Sequence, residues 1–354
     1  MEARDLGRTG LRVSAIAFGT MTFGGARSDF FRVVGTTELE EARRQIAICL
    51  DRGVNLVDTA NVYSNGASEE MLGRALAGRR DEVVLATKLH GATGDGPNDR
   101  GQSRAHIVRA VEDSLRRLDT EWIDLLQVHG FDGRTDLEEA LRALDDLVRA
   151  GKVRHIGCSN YSAWHLMKAL AISERRGLER YCSLQAYYSL VARELEWELV
   201  PLCLDQRVGI LVYSPLAGGF LAGRYRRGLP APEGSRAAVN GPPGGLPDRE
   251  QAFDVVEELV AIADARGVPV PQVALNWVMG RPGVASVIVG ARDERQLTET
   301  LAAADWRLDA EEVARLERAS AVRIPYPQWH QLRYNTARMD EPWMRSARPE
   351  VPPG

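Results

Sequence analysis

Asn55 to Leu72, NLVDTANVYSNGASEEML, carries the end of an apolar strand, a polar loop and the start of a helix. Leu56 and Val57 follow Arg52-Gly53, which closes a preceding helix, so Asn55 to Val57 read as the last residues of a buried strand. Asp58 then stands at the carboxyl end of that strand, and Tyr63 lies in the loop after it. Asn65-Gly66-Ala67-Ser68-Glu69-Glu70 reads as a turn and a helix start, with Ser68 as the expected N-cap and acids in the first turn. An acid and a phenol thereby face one mouth.

The same strand-to-helix step recurs in both directions. Upstream, DLGRTGLRVSAIAFGT at 5 to 20 places Gly10 in a hairpin turn and then runs through Val13 to Phe18 as a buried strand, ended by Gly19-Thr20-Met21. Thr37 is the expected cap of a helix reaching Gly53, with Ala42, Ile46 and Leu50 at helical spacing. Downstream, strands are expected at Glu82 to Leu89, Ile123 to His129, Val153 to Ser159, Cys182 to Tyr188, Gly209 to Ser214 and Ser286 to Val289. Helices are expected between them at Ser103 to Leu118, Leu137 to Ala150, Ala163 to Arg176 and Leu199 to Asp205, and at Glu294 to Ala302 after the last.

Eight strands alternating with helices predict a parallel (β/α)8 TIM barrel with an N-terminal β-hairpin. A doubly wound sheet is disfavoured, because Gly19, Gly24 and Gly25 do not have the GxGxxG spacing and no helix opens directly after them. Two segments break the alternation. Ala217 to Pro247 is rich in Gly, Pro, Arg and Ala, and is expected to be a long loop after strand seven, a candidate lid. Arg249 to Ala265 and Val273 to Met279 give two helices where one would serve, and Ala310 to Ala319 is an extra C-terminal helix. Residues 1 to 345 are read as one barrel domain, and the tail 346 to 354 as disordered.

Composition narrows the function classes. The 354 residues include 45 basic and 49 acidic side chains, interspersed, for a net charge of −4, so no field suited to nucleic acid or anionic lipid is present. Neither partner is expected. Cys49, Cys158, Cys182 and Cys203 lie in apolar segments without CxxC spacing, which reads as buried free thiols in a reducing compartment, with no metal. MEARDLGRTG has no apolar leader, and no later run approaches the roughly 18 residues of a membrane helix. A cytoplasmic protein is expected. No apolar surface stripe discloses its oligomeric state.

In such a barrel, chemistry lies at the carboxyl ends of the strands. Asp58 ends strand two, Tyr63 follows it, Lys88 ends strand three and His129 ends strand four. Each alone has a structural explanation: a cap, a loop aromatic, a solvated end, a satisfied core histidine. Four such groups on three neighbouring strands of one rim point to a catalytic set. Their order along the chain, DTANVY, ATK, VHG, resembles that of the aldo-keto reductase family, and the resemblance implies carbonyl reduction. A carbonyl accepting hydride develops alkoxide character and needs a proton donor, here Tyr63, and hydrogen bonds aimed at the oxygen. An ammonium such as Lys88 beside a phenol is expected to lower its pKa from about 10, and Asp58 would keep that ammonium charged. His129 would hydrogen-bond the carbonyl oxygen.

The order DTANVY, ATK, VHG, with LGRTGLRVS, GCSN at 157 to 160, YSPL at 213 to 216 and GARDERQL, resembles the aldo-keto reductase family over about residues 5 to 320. The resemblance implies a barrel oxidoreductase that reduces aldehydes or ketones with NADPH, without metal or flavin. It also implies that Ser159, Asn160 and Gln185 bind the carboxamide and that Tyr213 stacks on the nicotinamide. By the same similarity, Ser214, Leu216 and Gly218 lie toward the pyrophosphate, and Gly19, Thr20 and Met21 lie beneath the ribose and nicotinamide. Gly290-Ala291-Arg292 would open a helix at a phosphate site, with Arg292 on the 2′-phosphate and Gln296 and Glu299 nearby. Thr300 stands where relatives often carry Asn, and Gly290 where some carry Lys, which leaves Arg292 to select NADPH over NADH.

Weaker signals have competing explanations. His90, His129 and Asp58 could suggest a metal-dependent hydrolase, but Lys88 among them would repel a cation. Trp164, Trp197 and Trp277 are expected to pack, whereas Trp329, His330, Tyr334, Met339 and Trp343 follow the last helix and could fold back over the mouth. Two other functions use the same fold. One is a cofactor-binding regulatory subunit, which predicts slow turnover and an added partner-binding segment, whereas this hairpin begins within the first ten residues. The other is an isomerase or dehydratase with no net oxidation.

Overall fold

Strands buried on both faces need apolar residues on both, and a stride of two sorts those residues between the inside of a barrel and the helices around it. In the computed structural model, which describes residues 1–229 and 249–334, the strands do this. After the hairpin β1 (Ala3–Asp5) and β2 (Arg12–Ser14) come β3 (Ile16–Gly19), β4 (Leu56–Asp58), β5 (Val84–Leu89) and β6 (Ile123–Val128). β7 (Val153–Ser159), β8 (Tyr181–Tyr187), β9 (Gly209–Tyr213) and β10 (Val284–Val289) complete the set. Strands β3 to β10 pair in parallel in that order, and β10 closes back onto β3. The antiparallel hairpin lies outside this ring, so the expected (β/α)8 barrel with an N-terminal hairpin is present.

The helices follow the strands. α1 (Asp29–Arg32) and α2 (Leu39–Asp51) precede β4, and α3 (Ala67–Ala75) precedes β5. α4 (Arg104–Leu118), α5 (Leu137–Arg149), α6 (Ala163–Arg176) and α7 (Leu199–Gln206) each precede the next strand. α8 (Arg249–Arg266) and α9 (Val270–Met279) both lie between β9 and β10. α10 (Glu294–Leu301), α11 (Ala310–Ala319) and α12 (Gln328–Tyr334) end the described chain. α5 shows why these segments are helical: Leu137, Ala140, Leu141, Leu144 and Leu147 recur at three- and four-residue steps and are buried. The Asp136 carboxylate accepts from the Glu138 amide and starts the helix. Each buried leucine contributes about 1.5–3 kcal/mol.

The apolar core has two layers. One lies between strands and helices; the other fills the lower barrel interior with Leu6, Val13, Ala17, Leu56, Val84, Ala86, Leu125, Cys182 and Leu211. The hairpin is the floor of that second layer. Gly7, at φ 61°, lies so close beneath the strands that a Cβ would come 2.5 Å from the Cys182 carbonyl oxygen and 2.7 Å from that of Arg207.

Several local expectations are corrected. The stretch Val13 to Phe18 is not one strand: Ser14 pivots it out of the hairpin and into the barrel, its Oγ donating to the Ile16 carbonyl while its amide donates to Asn55. Thr37 does not cap α2; Glu38 holds that position without a side-chain bond, and Thr37 is buried in a bridge to Phe23. Residues 217 to 229 are not structureless, since Ala217–Ala222 form a 3-10 turn. The rest of the candidate lid, 230 to 247, lies outside the described residues, as do Met339, Trp343 and the tail 346 to 354. Trp277 packs as expected, between the guanidinium groups of Arg193 and Arg281. Trp164 does not. It sits on the outer face of the first turn of α6, 62% exposed, its ring against Phe131 and His165. A further helix, α12, carries Trp329, His330 and Tyr334.

Among the described residues, no helix is long and apolar enough to cross a membrane. The four cysteines are free and buried, and burial pushes their thiol pKa values up.

Candidate active site

The short strand β4 delivers Asp58 to the upper end of the barrel, and the chain must then turn sharply to present Tyr63. It does so through Ser64, Asn65 and Gly66, all with positive φ. Left-handed Ser and Asn are costly, and the turn is held by its surroundings, the Ser64 hydroxyl donating to the Phe23 carbonyl at 3.0 Å. Ser68 is not the N-cap of α3. Gly66 takes that place without a side-chain bond, and the wholly buried Ser68 hydroxyl instead ties β3 to β4. It donates to the Thr20 carbonyl at 2.8 Å and lies 2.9 Å from Thr20 Oγ1 and 3.1 Å from Thr59 Oγ1. Behind β5, the buried Glu69 carboxylate accepts from Thr87 at 2.6 Å and from Arg117 at 2.7 Å, bracing α3 against α4.

The structure brings together the four residues expected at the rim. Lys88, with 0% exposure, spends all three of its donors: on Asp58 Oδ2 at 2.5 Å, the Thr59 carbonyl at 2.8 Å and the Tyr63 hydroxyl at 3.3 Å. Burial alone would lower its pKa, but Asp58 and Tyr63 outweigh burial and the pKa is raised. His129 lies edge-on to Tyr63, ring centroids 5.9 Å apart. Burial and the nearby Lys88 charge lower its pKa from 6.5 to about 3, so it is neutral at pH 7.

Tyr63 corrects an expectation. Burial pushes its pKa above 10, and the Lys88 charge offsets that only in part, so the phenol holds its proton more firmly than a free one. A general acid must be protonated before the reaction, and an ammonium at 3.3 Å is placed to stabilise the phenolate afterwards.

The other predicted residues fall around this centre. Asn160, at φ 57°, donates from Nδ2 to the His129 carbonyl at 2.9 Å and to Ser159 Oγ at 3.0 Å, and its Oδ1 accepts from Tyr213 at 2.9 Å. Tyr213 has one face against Tyr187, ring centroids 5.7 Å apart. Gln185 is differently engaged from the carboxamide role alone, because its Nε2 donates to Asp58 Oδ1 at 2.8 Å. Thr20 is buried and bonded to Ser68, leaving Gly19 and Met21 partly exposed beside it. Ser214, Ala217, Gly218 and Gly219 all have positive φ, and Leu216 stands among them.

The stretch expected to bind phosphate also differs from expectation. Residues 290 to 292 do not open the helix: α10 starts at Glu294, and Asp293 caps it by accepting from the Gln296 amide at 2.8 Å. An acidic cap on that amide competes with any phosphate there. The Arg292 amide donates to Gln296 Oε1 at 2.9 Å, and its guanidinium donates to the carbonyls of Val33 at 3.2 Å and Val34 at 3.4 Å. Gly290 lies beside Gly19, and Glu299 pairs with Arg295 at 3.5 Å. His90 is also outside the rim set; its Nδ1 faces the Gln102 amide at 3.5 Å. Among the described residues, no three His, Cys, Asp or Glu side chains converge as metal ligands would.

Sequence reasoning missed Gln127, whose Nε2 reaches Asp58 Oδ1 at 3.3 Å. The signal was available: in the strand DLLQVH, Gln127 is two residues before His129 and so shares its inward face. Asn61 was missed as well. It is buried with neither end of its amide partnered, and nothing in its local sequence foretells that.

A model of the aldo/keto reductase family matches residues 15–321. The chain is 37% identical over 313 residues to a probable voltage-gated potassium channel subunit beta of Arabidopsis thaliana, covering 86% of this chain and 92% of that protein. It is 38% identical over 322 residues to the uncharacterized oxidoreductase YrpG of Bacillus subtilis, covering 88% and 93%. Versiconal hemiacetal acetate reductase of Aspergillus parasiticus is 33% identical over 349 residues, covering 92% and 99%.

Proposed function

Because the chain belongs to the aldo/keto reductase family, we propose that it reduces an aldehyde or ketone to the alcohol with NADPH, taking the proton from Tyr63. The observation that carries this reading is the buried Lys88 ammonium, held by Asp58 and pointed at a phenol that keeps its proton.

The residues present suit a nicotinamide dinucleotide. Gly19 and Gly290 meet without side chains, a Cβ on Gly290 coming 3.3 Å from the Gly19 carbonyl oxygen. The left-handed run Ala217-Gly218-Gly219 gives a concave backbone of the kind that cups anions. In this reading Ser159, Asn160 and Gln185 hold the carboxamide, and Tyr213 lies against the ring. Ser214, Leu216 and Gly218 border the pyrophosphate, Arg292 takes the 2′-phosphate, and Gln296 and Glu299 lie at the adenine end. A reduced nicotinamide held by these residues would supply the hydride for the carbonyl carbon. As charge develops on the oxygen, Tyr63 passes its proton to it, Lys88 balances the phenolate left behind, and neutral His129 donates an N–H to the same oxygen. The substrate class is an aldehyde, a keto sugar or a cyclic ketone. The buried free thiols suit work in the cytoplasm.

The test joins binding to turnover. Fluorescence titration with NADPH and NADH, then reduced-nicotinamide absorbance across those carbonyl classes, should show tight NADPH binding and consumption on one class. Tyr63→Phe should lower kcat by about 10²–10⁴-fold with NADPH affinity nearly unchanged, since the phenol serves the transition state. Near wild-type reduction by that variant would sink the mechanism. A second reading, a cofactor-binding partner subunit, draws on the relatives named as potassium channel beta subunits. Tight binding with no consumption on any carbonyl would favour it.

A further inference from the structure

Gln127 is a buried polar group of the barrel that the chemistry above leaves without a task. It lies on β6 with 0% exposure, and its Nε2 donates to Asp58 Oδ1 at 3.3 Å. Gln185, on β8, donates to the same oxygen at 2.8 Å, while Asp58 Oδ2 holds Lys88 at 2.5 Å. The carboxylate is thus gripped at both ends, an ammonium on one oxygen and two amides on the other. Carboxylate torsions are broad, so a group held only through Oδ2 would be free to swing, and the Oδ1 bonds remove that freedom.

The sheet register shows how Gln127 reaches this position. It pairs with Gly157 on β7, and Gly157 pairs with Ser183 on β8. A Cβ on Gly157 would come 2.2 Å from Ser183 Oγ and 3.2 Å from Gln127 Cγ, so both side chains lean over the bare glycine backbone. The Gly of the GCSN stretch leaves that space open. Gln127 Oε1 and Ser183 Oγ are both buried without a partner. Packing alone would favour an apolar residue at 127, which would leave no orphan acceptor; the benefit of the amide lies at Asp58.

We propose that Gln127 is a positioning residue for carbonyl reduction, fixing the Asp58 carboxylate so that it keeps the Lys88 ammonium aimed at the Tyr63 hydroxyl. The inference rests on the reading of Tyr63 as proton donor, and its test includes a readout that needs no turnover. Gln127→Leu removes the donor; Gln127→Met, closer in length, replaces it if the Leu variant fails to fold. Tyrosinate absorbance is titrated in each protein and in the same protein carrying Tyr63→Phe, and the difference isolates Tyr63. With Asp58 loosened, the Lys88 charge acts less strongly on the phenol, so Tyr63 should ionise about half a pH unit or more higher. In turnover, kcat should fall about three- to tenfold while KM and NADPH affinity stay within about twofold. Unchanged Tyr63 ionisation in a folded variant overturns the positioning role, whatever the turnover. Shifted ionisation, in a protein whose wild type reduces no carbonyl, upholds the role and overturns the reductase reading instead.

Discussion

The floor and the mouth of the barrel interior are built on the same strands and differ by one stride of two. On β4 the inward residues run Leu56 then Asp58; on β5, Val84, Ala86, Lys88; on β6, Leu125, Gln127; on β9, Leu211, Tyr213. Below the step, Leu56, Val84, Ala86, Leu125 and Leu211 belong to one apolar cluster. Above it, almost every one makes a hydrogen bond. Stability and chemistry are therefore separable by residue although no element serves one alone, which is how a barrel can hold a charged pair in its interior and remain a packed core.

The widest difference between the two regions should come from Lys88→Met. It removes the ammonium from Tyr63 and leaves Asp58 buried with only its amides, so turnover should fall at least about 10²-fold and stability by about 3 kcal/mol. Denaturant unfolding beside kcat measures both. Unchanged stability would mean that the two glutamine amides suffice for Asp58, and that the mouth is less strained than its burial implies.

Leu125→Ala, one stride below Gln127, should do the opposite. It should cost about 3 kcal/mol through lost burial and a cavity, with kcat per folded molecule unchanged within about twofold. A loss of turnover like that of Lys88→Met would break the separation.

The smallest effect concerns acid. The folded protein keeps His129 neutral down to about pH 3, against an ordinary 6.5. Between those values the unfolded chain binds a proton that the folded one refuses, so stability falls as pH drops through this window. His129→Gln should reduce that acid-side loss by about 1.5 kcal/mol, read from unfolding curves at about pH 6.5 and 5. An identical pH slope in the variant would place the acid sensitivity elsewhere, with half-buried His90 and buried His106 next to test.

The strands and the rim were legible because both depend on local pattern. Apolar runs ending in Asp58, Lys88 and His129 can be seen in one dimension, and the structure places those residues together. Ser68 and Thr37 were misread for a physical reason. A hydroxyl before a helix suits a cap, yet Thr20 and Thr59 take the Ser68 hydroxyl, and a backbone bridge to Phe23 buries Thr37 with its hydroxyl unpartnered. The pKa of Tyr63 was misread because a neighbouring charge can be inferred from sequence and the depth of burial cannot. At Arg292, the Asp that follows it proved to be the cap that occupies the helix end.

The hairpin beneath the strands makes the barrel a blind well. Gly7 sits against the Cys182 and Arg207 carbonyls, and Leu6 and Val13 join the apolar cluster above it, so the open approach to Lys88 and to the amides around Asp58 is from the mouth. Whatever rests in the mouth is then also a stopper, and its departure sets the moment at which the charged pair can be re-supplied from water.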